Sequence, residues 1–155
     1  MNSLPPILIV EDSDEDFDML RLALQAAGVT HPLVRCADGE ETLEFLRQRG
    51  RSQAAEPAPR PGVVLLDLNL AGMDGRQVLE HIRADAALRA LPVIVLSTSD
   101  NPRDVQACYQ LGVSAYLLKP LDLERFERMV RLFKEFWLEF VVLPVGVPLS
   151  EGRWR

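Results

Sequence analysis

Cysteine and histidine are scarce in these 155 residues, two of each, and neither is grouped. Cys36 and Cys108 sit in apolar runs without C-x-x-C spacing, the setting of small buried hydrophobes rather than of a redox pair. His31 and His81 stand alone, so a histidine-held metal is not expected. Basic residues are outnumbered: 17 Lys and Arg against 23 Asp and Glu give a formal charge of -6. Binding DNA or RNA without sequence preference needs a positive surface, so no nucleic-acid partner is expected. Met1 to Pro6 lacks the basic start of a signal peptide. The longest uncharged apolar stretch, Phe140 to Leu149, is too short for a bilayer and carries two prolines. These absences predict a cytoplasmic protein with no membrane partner.

What is present is one alternating series of elements. A composition of 48% hydrophobic and 26% charged residues suits a single globular domain with a real core. Ile7 to Val10, Leu33 to Ala37, Val63 to Leu66, Val93 to Leu96 and Ala115 to Leu118 read as short strands. Between them run amphipathic helices, opened by Ser13 with Asp16, by Asp38 with Glu41, near Gly75, and after Pro102. A fifth helix is predicted from Asp122 to about Val142. Residues 51–62, with three prolines and scattered charges, predict an exposed loop rather than a linker between domains. Strands of nearly continuous Val, Ile and Leu are expected where both sheet faces are covered. The fold class predicted is α/β, a flavodoxin-like (βα)5 three-layer sandwich with a parallel sheet in the order 2-1-3-4-5.

In such sheets ligands bind beyond the carboxyl ends of the strands. The first strand ends in Glu11 and Asp12, the third in Asp67, the fourth in Ser97 and the fifth in Lys119. The predicted order sets the first and third strands side by side, bringing three carboxylates together. Clustered carboxylates repel one another, and a divalent cation relieves that cost. Mg²⁺ suits carboxylate and carbonyl oxygens completed by water. Asp12, Asp67 and a backbone carbonyl after Asp67 are the expected protein ligands, with Glu11 acting through water. Metal, three carboxylates and the Lys119 ammonium sum formally to zero, so an added phosphoryl dianion is tolerated. Asp67 is then the expected nucleophile, with Ser97 and Lys119 on the transferred group. Each residue taken alone has an ordinary reading, as a helix cap, a turn hydroxyl or a surface lysine. Their placement at four strand ends of one sheet is what argues for a site.

The stretches Ile7 to Asp12, Leu65 to Leu70, Met73 to Gly75, Pro92 to Ser97 and Gly112 to Pro120 resemble the receiver domains of two-component response regulators. The resemblance spans residues 4 to about 140. It implies that Asp67 is the phosphoacceptor, charged from a phosphohistidine on a partner histidine kinase. It further implies that Glu11, Asp12, Asp67 and the Asn69 backbone hold Mg²⁺, and that Ser97 and Tyr116 form the switch with Lys119 beside them. Ala71 stands where many relatives carry proline, and Ser97 where threonine is commoner. The acidic start, the proline-containing loop before the third strand and Leu96-Ser97-Thr98-Ser99 are similar to the small regulators that pair with bacterial phytochromes.

On this reading residues 4–140 form the receiver domain, and 141–155 an extension without a separate output domain. The chain is expected to be no enzyme beyond its own phosphotransfer and dephosphorylation. The alternative is a protein-binding adaptor of the same fold that works without phosphorylation. A flavin carrier would meet repulsion between the first-strand carboxylates and the flavin phosphate. The P-loop pattern G-x-x-x-x-G-K-S/T is missing. In the last helix Phe126, Met129, Val130, Phe133, Trp137 and Phe140 form an apolar stripe expected to face the sheet. Leu132, Phe136, Val142 and Leu143 lie off it, which predicts a homodimer through the fourth helix, fifth strand, fifth helix and tail.

Overall fold

The computed structural model describes residues 4–51 and 60–144. Five strands, β1 (Ile7–Val10), β2 (Leu33–Cys36), β3 (Val63–Leu66), β4 (Val93–Ser97) and β5 (Ala115–Leu118), alternate with five helices. The helices are α1 (Asp14–Ala26), α2 (Gly39–Arg51), α3 (Gly75–Ala84), α4 (Pro102–Gln110) and α5 (Leu123–Phe133). All strand pairs are parallel and the order is β2-β1-β3-β4-β5, as the sequence predicts. No helix among the described residues is long and apolar enough to cross a membrane.

Alternate strand residues face opposite sides of a sheet, and both sides are covered here. Leu8, Val10, Val64, Leu66, Val93 and Val95 meet α2, α3 and α4 through Leu43, Leu46, Val78, Leu79, Ile82 and Cys108. Ile7, Ile9, Val63, Leu65, Ile94 and Leu96 meet α1 and α5 through Leu20, Leu24, Phe126, Val130 and Phe133. Both cysteines are free and buried, and burial pushes the Cys36 thiol up to about 11. A buried thiol held protonated is a poor nucleophile.

The caps agree with the sequence. Ser13 Oγ accepts from the Asp16 N–H, and Asp38 Oδ1 from that of Glu41. Asp74 and Gln77 close a reciprocal capping box on α3. Arg83, at the end of α3, donates to the carbonyls of Arg89, Leu91, Leu111 and Gly112. One guanidinium thus ties α3, the segment entering β4 and the end of α4 together.

Two sequence expectations are corrected. The last helix does not continue in α form: after Phe133 it becomes a π-helical segment, Lys134–Phe140. The Val141 N–H donates to the Phe136 carbonyl, and Lys134 pairs with Glu139 at 3.2 Å, both five residues apart. Bonding from i to i+5 widens each turn and shifts the side-chain phase. Trp137 and Leu138 therefore pack on the core while Phe140, expected on the stripe, is 78% exposed. Leu143, expected off the stripe, packs against the same core cluster. The predicted loop at 51–62 also differs at its ends. Arg51 still belongs to α2, while Pro61 and Gly62 are buried, with the Gly62 N–H on the Pro6 carbonyl. Positions 52–59 and any tail contribution beyond Pro144 lie outside the described residues.

Candidate functional site

Strand register builds the site. Val10 pairs with Leu66, so Glu11 and Asp67 each follow the last paired rung of adjacent strands. The Glu11 N–H donates to the Cys36 carbonyl and the Asp67 N–H to that of Val10, both at 3.1 Å. Both residues are buried, whereas Asp12 is exposed. One carboxylate oxygen from each of Glu11, Asp12 and Asp67 lies within 4.8 Å of the other two. This is the one cluster of potential metal ligands among the described residues.

The turn after β3 is drawn onto these carboxylates. The Asn69 N–H donates to Asp67 Oδ1 at 3.0 Å, and the Ala71 N–H to Asp12 Oδ2 at 3.3 Å. The turn must pass close to α3, where the Gly75 N–H meets the Leu68 carbonyl. A Cβ on Gly75 would lie 2.5 Å from the Asp67 carbonyl oxygen and 2.6 Å from Leu68 Cα. No side chain fits there without moving the backbone of the expected nucleophile.

The charge of the cluster is only partly balanced. Burial, and then the adjoining carboxyl of Asp67, push Glu11 up to about 8. Lys119 lowers it from a distance without undoing the rise. The ammonium pairs instead with Asp16, Nζ to Oδ2 at 3.7 Å. Glu11, Asp16, Asp67 and Lys119 line one small recess with Leu65, Leu96 and Phe126 behind them.

Ser97 and Tyr116 both bond to Ser99 in the loop after β4. Ser97 is fully buried, its Oγ accepting from the Ser99 N–H and its carbonyl from the Lys119 N–H at 2.7 Å. The Tyr116 hydroxyl donates to the Ser99 carbonyl at 2.7 Å. Ser99 Oγ in turn donates to Asp104, which faces Arg76 on α3 at 3.8 Å. The loop after β4 thereby connects strand tip, α4, α3 and β5.

Two neighbours of the site are missed in the sequence. Asp16 reads there only as a capping and first-turn acid, yet it is the partner of Lys119. Arg35, on the edge strand β2, gives no sequence signal at all. Its Nε donates to the Glu11 carbonyl at 3.1 Å and its Nη1 to Asp14 at 2.7 Å, with the guanidinium over the Phe17 ring. Arg35 therefore braces the loop that carries Glu11 and Asp12.

Three converging carboxylates with a nearby backbone turn are hard oxygen donors, and they fit a small divalent cation better than a soft one. The comparisons with known proteins agree. Residues 7–131 match the model of the response regulator receiver domain. Response regulator Rcp1 of Synechocystis sp. is 43% identical over 146 residues, covering 93% of this chain and 97% of its own. The crystal structure of the Mn(2+)-bound form of Rcp1 superposes with a TM-score of 0.80 at 41% identity, covering 90% of this chain and 99% of that one. The phosphorylated cyanobacterial phytochrome response regulator RcpA gives a TM-score of 0.81 at 39% identity, covering 92% and 99%. With the family model matched over residues 7–131, and with sheet order and acidic cluster in place, the chain belongs to the response regulator receiver domain family.

Proposed function

We propose that Asp67 accepts a phosphoryl group from a phosphohistidine of a partner histidine kinase in a Mg²⁺-dependent relay. The observation that carries this reading is the convergence of Glu11, Asp12 and Asp67 within 4.8 Å, with Lys119 and Ser97 at the next strand tips. Asp67 attacks phosphorus, a P–O bond forms as the P–N bond breaks, and the imidazole leaves with the electron pair and takes up a proton. The Asn69 N–H fixes the Asp67 carboxylate through Oδ1. Glu11, Asp12, Asp67 and the Asn69 carbonyl would hold Mg²⁺, which when bound neutralises charge on the phosphoryl oxygens. Lys119 and Ser97 receive two of those oxygens, and Tyr116 reads the movement of the loop after β4. RcpA, a cyanobacterial phytochrome response regulator, resembles this chain over nearly its whole length, which supports a bacterial phytochrome as the kinase; the relay is proposed to run in the cytoplasm.

A second copy of the chain is the proposed partner of the β5–α5 face. Leu117, Met129, Leu132, Phe136 and Trp137 line a groove there, with Arg125 and Arg128 at its rim. Leu118, Tyr109, Phe140 and Val142 are exposed as well, and exposed apolar surface of this kind suits a protein partner.

The test is phosphorylation of the wild type and of Asp67→Asn by acetyl phosphate or a phosphorylated kinase, with and without Mg²⁺. The expected result is a hydroxylamine-labile label that needs both Mg²⁺ and Asp67. A wild-type chain that takes no label, or labels equally well as Asp67→Asn, would favour the adaptor reading.

A further inference from the structure

We propose that Asp16 is a positioning residue for Lys119, holding its ammonium away from Asp67 until a phosphoryl group arrives. The inference deepens the phosphoacceptor reading and rests on it.

Lys119 leaves the tip of β5 and makes one ion pair among the described residues, to Asp16 at 3.7 Å. Neither Glu11 nor Asp67 pairs with it, although both line the same recess. Asp16 belongs to the first turn of α1 and is outside the Glu11, Asp12 and Asp67 cluster. It therefore draws the cation without spending a metal ligand.

The environments of the two partners make the hold reversible. The Lys119 side chain is 12% exposed and that of Asp16 46%. Asp16 is rehydrated at little cost when the ammonium departs, whereas two deeply buried partners could separate only against a large penalty. An acyl phosphate dianion on Asp67 carries more charge than Asp16, so it outbids the half-solvated carboxylate. Before transfer, the arrangement keeps the ammonium from competing with a cation for the Asp67 and Glu11 oxygens.

Removing Asp16 turns Lys119 toward those oxygens and weakens metal binding. The experiment is a double-mutant cycle on Mg²⁺ affinity, read by titration calorimetry on wild type, Asp16→Asn, Lys119→Gln and the double variant. Asp16→Asn is expected to weaken Mg²⁺ about fivefold with Lys119 present and less than twofold with Lys119→Gln, a size set by one partly solvated ion pair. Any effect of Asp16 on helix α1 or through its bare charge is common to both backgrounds and cancels. An equal loss in the two backgrounds, or no loss in either, would overturn the holding role while leaving the phosphoacceptor reading intact. A wild-type chain that binds no Mg²⁺ would overturn both.

Discussion

Glu11 and Asp67 stand abreast, each one residue past the last rung that joins β1 to β3. Burial and the neighbouring Asp67 carboxyl disfavour the charged form of Glu11. With Glu11 raised to about 8, Mg²⁺ must displace a proton at neutral pH. Affinity for Mg²⁺ should therefore climb from pH 6 to about 8 and level off above. Calorimetry in buffers of differing ionisation enthalpy should show close to one proton released per metal at pH 7, and Glu11→Gln should abolish that release.

The same group sets a stability trend in the metal-free chain. Its folded value lies above the ordinary 4.5, so the folded state binds more protons than the unfolded state between the two. The contribution is fully present below pH 4.5 and is lost as pH rises through about 8. Thermal melts without metal should fall across that window, and added Mg²⁺ should restore the alkaline end.

Gly75 answers to space. Its absent Cβ would sit 2.5 Å from the Asp67 carbonyl oxygen, a backbone atom that cannot swing aside. Gly75→Ala should cost about 1–3 kcal/mol, the usual range for overpacking, and should slow labelling of Asp67 by displacing it. Urea denaturation and acetyl phosphate kinetics on the same protein check both effects.

The π-helical register makes a contrast that a regular helix would not. Phe140→Ser should change stability by less than about 0.5 kcal/mol, as surface substitutions do, because that ring faces solvent. Phe126→Ala should cost about 3–5 kcal/mol, since Phe126 is fully enclosed. Comparable losses at both positions would mean that the α-form continues past Phe133.

Phe136 lines the β5–α5 groove and is exposed. Phe136→Asp should convert a dimer to a monomer in light scattering at tens of micromolar. Labelling at Asp67, which does not line that groove, should be unchanged.

Most of this architecture is legible in the sequence because parallel strands covered on both faces must be apolar throughout. Ile7 to Val10 and Val63 to Leu66 advertise themselves, and their order then forces Glu11, Asp12 and Asp67 together. Asp16 and Arg35 stay hidden because their partners, Lys119 and Glu11, are 103 and 24 positions away. Nothing local to an acid or an arginine tells which distant group it will face. The phase change after Phe133 is equally silent, with no proline or glycine to mark it. The five-residue spacing of the Val141–Phe136 hydrogen bond and of the Lys134–Glu139 pair reveals where the turns widen.

Arg83 gives helix α4 two unlike ends. Two of its four donated bonds fasten the Leu111 and Gly112 end to α3 and the other two hold Arg89 and Leu91 before β4, while the Asn101 end begins in the loop shared with Ser97 and Tyr116. The two ends are held by different chemistry: carbonyls on the Arg83 guanidinium at Leu111 and Gly112, and at the first turn Asp104 between Ser99 and Arg76. Ser97 at the strand tip thus reaches α4 through Ser99 and the side chain of Asp104, whereas the far end of that helix answers to α3 and the backbone before β4.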